Sequence, residues 1–202
     1  MNPQFKTITI EHGQLLVTLA RQSLEQFVAE NSLFSPELAA LPAPLCRPGA
    51  SFVTLTNHGR LRGCMGTTQA RFPLAEDVAQ NARAAATRDP RFLPLIPAEL
   101  PEVCLEVTVL STPQPLIIAD YAQLLQRLRP GIDGVILSWG QRRGLLLPQV
   151  WRRIADPDTF LEMIARKAGI PPAQLRTCPA AVAVYTFEVT HFAEPGYREP
   201  GE

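Results

Sequence analysis

The sequence has no charge excess of either sign: 19 basic and 19 acidic residues cancel to a formal net charge of zero. A general nucleic-acid binder carries a basic surplus or stripe, so binding along a phosphate backbone is not expected. Lysine is nearly absent, with Lys6 and Lys167 the sole examples among mostly Arg cations. Base composition of the genome accounts for that bias; recognition of anions or carboxylates by guanidinium forks is the functional alternative. There is no C-x-x-C pair among Cys46, Cys64, Cys104 and Cys178, which removes the usual redox and zinc spacings. Thiols scattered through apolar contexts read as reduced, cytoplasmic cysteines. Apolar runs stay far short of the ~20 residues that span a bilayer, and the first residues lack the basic-then-apolar pattern of a secretory leader. No phosphate-cradling or dinucleotide loop and no nucleophile-elbow motif occurs, so no cofactor is expected. His12, His58 and His191 show no ligand spacing, so no metal site is expected either.

What is present is a 202-residue chain with 46% hydrophobic residues, enough to build a core. Helical spacing of Leu15, Leu16, Leu19, Ala20, Leu24, Phe27 and Val28 predicts a helix over about 11–29. A Pro-rich stretch, 35–49, is apolar enough to lie against the fold. A hairpin follows, with Ser51 to Thr56 and Arg60 to Gly66 joined by Asn57-His58-Gly59. A helix over about 73–87 starts at Pro73 and stops before Asp89-Pro90. Val103 to Leu110 reads as a strand and Tyr121 to Leu128 as a short helix. A second hairpin runs from Gly134 through Trp139-Gly140-Gln141 to Leu147. Asp156-Pro157 opens a helix that Gly169 ends, and Ala181 to Phe192 reads as the last strand.

These elements recur. Val53 and Leu55 reappear 82 positions on as Val135 and Leu137, Glu106-Val107-Thr108 as Glu188-Val189-Thr190, and Pro113 as Pro195. In the hairpins the offset is 81, matching Gly59 to Gly140 and Arg62-Gly63 to Arg143-Gly144. The predicted fold class is α+β. A duplicated hairpin–helix–strand unit, about 52–113 and 134–195, would form a single barrel-like, mainly antiparallel sheet with helices outside. The domain would span 11–194, followed by a frayed tail, 195–202.

From Leu61-Arg62-Gly63-Cys64-Met65-Gly66 onward the chain resembles a known family. The match runs through Pro73-Leu74, Asp89-Pro90-Arg91-Phe92, the Leu105–Leu110 strand and Gly144-Leu145-Leu146-Leu147-Pro148-Gln149-Val150, and covers about 11–194. The family is the AMMECR domain family, or AmmeMemoRadiSam system protein A. Met65 stands where the family more often has Ile, a volume-conserving change. The resemblance implies a duplicated β-α fold and the company of Memo-like and radical-SAM proteins, for which this chain would be an accessory or partner. It implies no reaction.

The residues themselves suggest where chemistry would sit. On a strand, Arg62, Cys64 and Gly66 share a face. A guanidinium close to Cys64 would favour its thiolate, and Gly63 and Gly66 would leave the backbone open to a ligand. Catalytic candidates are therefore Cys64, Arg62 and Glu106; ligand-binding candidates are Gly63, Gly66 and Arg91. The alternatives are a small buried Cys filling space, a framework ion pair of Glu106 with Arg62 (and Glu188 with Arg143), and an Asp89–Arg91 lock in a turn. Three functions compete: the accessory protein, a thiol-dependent enzyme with Cys64 as nucleophile, and, least favoured, a nucleic-acid regulatory factor. The ligand would be a small molecule or a peptide.

Overall fold

The structure is a computed structural model that describes residues 8–177 and 181–200. In chain order it contains α1 (Ile10–Glu30), β1 (Pro48–Asn57), β2 (Arg60–Gly66), β3 (Phe72–Pro73), α2 (Leu74–Thr87), β4 (Val103–Leu110), β5 (Gln114–Pro115), α3 (Tyr121–Arg127), β6 (Gly134–Trp139), β7 (Arg142–Leu146), α4 (Pro157–Ala168), α5 (Pro172–Thr177), β8 (Ala183–Phe187) and β9 (Val189–Ala193). The helix ends follow local chemistry. Thr9 and His12 form a reciprocal cap at the start of α1. Asp156 caps α4, and Gly169, with φ of 69°, closes it. The β1–β2 turn is made by His58 and Gly59, both at positive φ (48° and 76°), as a two-residue hairpin turn requires.

The expected single barrel-like sheet is not formed. There are two open antiparallel sheets, one in the order β2-β1-β4-β9 with β3 beside β1, the other β5-β8-β6-β7. Each ends in edge strands, so neither closes. The chain correspondingly divides into two compact units: residues up to Ser111 together with those from Thr190, and Thr112–Val189. In the first, Leu16, Leu24, Val78 and Ala82 of α1 and α2 cover Val53, Leu55, Leu105 and Val107. In the second, Phe160, Leu161 and Ile164 of α4 cover Val135, Leu137 and Val184, and Trp151 stacks on Phe160 at 3.7 Å.

The strand order is alike in the two units. β1–β2, α2 and β4 give strands β2-β1-β4; β6–β7, α4 and β8 give β7-β6-β8. The register, however, corrects the sequence alignment in the last strand. Val53 faces Val107 and Leu55 faces Leu105, whereas Val135 faces Thr186 and Leu137 faces Val184. The counterpart of Glu106-Val107-Thr108 is thus Tyr185-Thr186-Phe187, not Glu188-Val189-Thr190. The strand expected over 181–192 is two strands, because the chain leaves the second sheet after Phe187 and enters the first as β9.

Candidate functional site

The two faces of β2 are set by what packs on them. Gly63 is buried and faces α2: a Cβ there would lie 2.1 Å from the Ala85 carbonyl oxygen. The small side chains of Ala82, Ala85 and Ala86 let the helix come that close. A Cβ at Gly66 would meet the Phe52 ring at 2.3 Å. The close approach at both glycines is therefore made by the chain itself, which corrects the expectation of open backbone. Gly144 repeats the arrangement, its missing Cβ filled by Ala168 and the Ile164 carbonyl of α4.

On the other face, Cys64, Thr54 and Glu106 stand in one row across β2, β1 and β4, Thr54 pairing with each of the other two. The Thr54 hydroxyl donates to Cys64 Sγ at 3.4 Å. Glu106 Oε1 accepts from the Thr108 hydroxyl at 3.2 Å and lies 3.2 Å from His191 Nδ1 on β9. At ~4.8 Å per strand, Cys64 and His191 are about 14 Å apart between backbones, so no Cys–His dyad is made.

Arg62 departs from its expected role. Its Nε and Nη2 donate to the two Glu99 oxygens at 2.7 and 3.0 Å, and Nη1 donates to the Leu93 carbonyl at 3.0 Å. It pairs with neither Glu106 nor Cys64; its nearest ring is Phe92, at 5.9 Å. Likewise Glu188 takes Arg129, at 2.7 Å, in place of Arg143.

The Asp89–Arg91 lock is present and does more than hold a turn. Arg91 Nε and Nη2 donate to Asp89 at 2.9 and 2.6 Å, and Asp89 Oδ2 accepts the backbone N–H of Cys64 at 2.8 Å. These donors, Arg91 first, hold the Asp89 carboxyl far below the usual carboxylate range. The thiol is pushed the other way. Burial raises the Cys64 pKa above the ordinary cysteine value, Asp89 and Glu106 add to the rise, and Thr54 and Arg91 oppose it. Cys64 is thus held as a neutral thiol, not the thiolate that proximity to Arg62 predicted.

Of the sequence candidates, Cys64, Glu106 and Arg91 share one neighbourhood, while Arg62, Gly63 and Gly66 serve its framework. Three participants were missed. Asp89 was visible only as half of a lock, and Glu99 gave no signal beyond lying in a Pro-flanked loop. Tyr197, assigned to the frayed tail, is half-buried with Glu106 and Cys64 in electrostatic reach; burial, then those groups, raise its phenol pKa. Cys178 lies outside the described residues. Among the described residues, no three His, Cys, Asp or Glu side chains converge as metal ligands would, and no helix is long and apolar enough to cross a membrane.

The model of the family described as AMMECR1 matches residues 17–192, most of the chain. The chain belongs to the AMMECR1 family. Two similar proteins match over nearly their whole length. A protein of Methanothermobacter thermautotrophicus is 36% identical over 96% of this chain and 100% of its own. One of Thermofilum pendens is 36% identical over 93% of this chain and 92% of its own. The same fold is seen in the crystal structure of the uncharacterised protein PH0010 from Pyrococcus horikoshii. Its TM-score is 0.79 at 31% identity, with 96% of this chain and 95% of that one covered.

Proposed function

We propose that this chain is a thiol-dependent enzyme in which Cys64 forms a covalent bond to an electrophilic small-molecule or peptide ligand. The observation that carries the reading is the hold on Cys64 from Asp89, with Arg91 clamping Asp89 in turn. β2 is an edge strand, and water would serve to satisfy its outward N–H groups. A buried, arginine-clamped carboxylate fixes the position and electrostatics of one particular sulfur instead. Arg91 favours the thiolate and burial opposes it, so ionisation is coupled to what the ligand brings. In the proposed step Cys64 Sγ adds to a carbonyl carbon of the ligand while the thiol proton passes through water to the Glu106 carboxylate; the C=O π pair moves to the carbonyl oxygen, which then takes that proton from Glu106, leaving a neutral tetrahedral adduct. Glu106 is supported by Thr108 and His191. The setting we propose is the one the resemblance implies, an accessory role beside Memo-like and radical-SAM proteins in the cytoplasm.

Complementation of a deletion strain by Cys64→Ser tests this, with folding checked by circular dichroism. The reading expects a folded protein without function, since a hydroxyl does not replace a thiol as nucleophile. Full complementation by Cys64→Ser sinks it.

A further inference from the structure

The segment after β9 is tied down and doubles back. Glu194 accepts from Arg21 Nε at 2.7 Å and from Arg21 Nη2, and its second oxygen also takes the Leu105 N–H at 2.9 Å. Glu194-Pro195-Gly196-Tyr197 then forms a turn: the Tyr197 N–H donates to the Glu194 carbonyl at 3.1 Å, and Gly196 has a φ of 85°. Proline at the second position and a positive-φ glycine at the third are the signature of a type II turn. Three points fix the path beyond it. A Cβ on Gly196 would lie 4.0 Å from the Cys104 sulfur on β4. Tyr197 lies within electrostatic reach of both Glu106 on β4 and Cys64 on β2. The Arg198 Cβ stands 3.5 Å from where a Cβ on Gly59 would sit, at the β1–β2 turn. Cys104 pairs with Thr56, one step nearer the hairpin tip than the Cys64–Thr54–Glu106 row, so the segment runs along the tip side of that row and the Tyr197 side chain brings its phenol within electrostatic reach of it.

We propose that residues 194–198 are a strap beside the Cys64–Thr54–Glu106 row, hinged at the Pro195-Gly196 turn, whose Tyr197 ring reaches over the row and controls access to the thiol. The firm anchor is Glu194, before the hinge. After it, the Tyr197 hydroxyl makes no hydrogen bond to a described residue, and Arg198 is exposed. Opening the strap breaks few bonds while leaving β9 in its sheet. The meaning of the gate rests on Cys64 being the functional thiol; the gate itself is a claim about access.

Access is read as the rate at which iodoacetamide modifies Cys64, by peptide mass spectrometry at pH 8.5, with Cys46 as internal reference. Tyr197→Ala is expected to raise the Cys64 rate several-fold and leave Cys46 unchanged, and Tyr197→Phe to match the parent, because the ring and not the hydroxyl covers the row. A second variant closes the strap. Gly59→Cys with Arg198→Cys places two Cβ atoms at the ~3.5–4.5 Å of a disulfide. Oxidised, it is expected to slow Cys64 modification several-fold, and phosphine reduction to restore the rate. Equal rates in the locked and reduced forms overturn the strap, whatever Tyr197→Ala does to stability. If the rates respond but Cys64→Ser complements fully, the gate stands and the thiol reading falls. If they do not respond and Cys64→Ser fails to complement, the reverse holds.

Discussion

At the scale of single residues, burial overrides a neighbouring positive charge at Cys64 and a pair of hydrogen bonds at Asp77. Cys64 has a guanidinium at hand, yet burial holds its proton on. Its alkylation rate is expected to keep climbing through pH 9; a plateau below pH 8 in a rate–pH profile contradicts this. Asp77, 3% exposed, accepts from the Ser51 hydroxyl at 2.7 Å and from Asn81 at 2.9 Å. Burial nevertheless raises its pKa to about 6. The folded state therefore prefers the neutral acid, so stability falls as pH rises from the unfolded value near 4 through 6, where the buried charge forms. Asp77→Asn keeps an acceptor for both donors and removes that charge. It should gain on the order of 2 kcal/mol at pH 8 and little at pH 4, and urea titrations at the two pH values check the difference. The sequence marked Cys64, Glu106 and the Asp89–Arg91 lock. It could not show that Arg62 reaches Glu99, because that pairing depends on where the loop after α2 returns.

At the scale of elements, local chemistry made most of the fold legible. Caps, positive-φ turn residues and apolar spacing fixed α1, α2, α4 and the second hairpin to within a residue or two, while β1 begins at Pro48, three residues before the expected Ser51. Strand partnership was harder to read. The Glu-Val-Thr identity suggested that β9 repeats β4, when β8 holds that place in register; three matching residues carry less than one ladder of hydrogen bonds. Gly63 and Gly144, which the hairpin alignment pairs, both make helix contact. Gly63→Ala forces a methyl against backbone, the Ala85 carbonyl, and should cost about 3 kcal/mol. Gly144→Ala, whose nearest contact is the Ala168 methyl at 2.8 Å, should cost less, about 1–2 kcal/mol. Circular dichroism reads the first. Tryptophan emission reads the second, since Trp139 and Trp151 both belong to the 112–189 unit.

At the scale of the whole molecule, the first unit is discontinuous, and part of its second piece is the stretch whose composition reads as frayed. Charged, Pro-Gly-containing ends read as frayed. What overrides that here is one carboxylate: Glu194 and Arg21 are 15% and 20% exposed and doubly bonded. Glu194→Ala should cost about 2–3 kcal/mol, because it takes the paired carboxylate from a half-buried guanidinium. A urea midpoint unchanged in circular dichroism argues against it. The same connectivity orders biosynthesis. The 112–189 unit is contiguous and complete in sequence at Val189, whereas the first unit waits for the rest of β9 and for Glu194 to leave the ribosome. α1, α2 and the first hairpin must persist as a nascent intermediate throughout translation of the insert, and their sheet is completed only when β9 arrives to join β4.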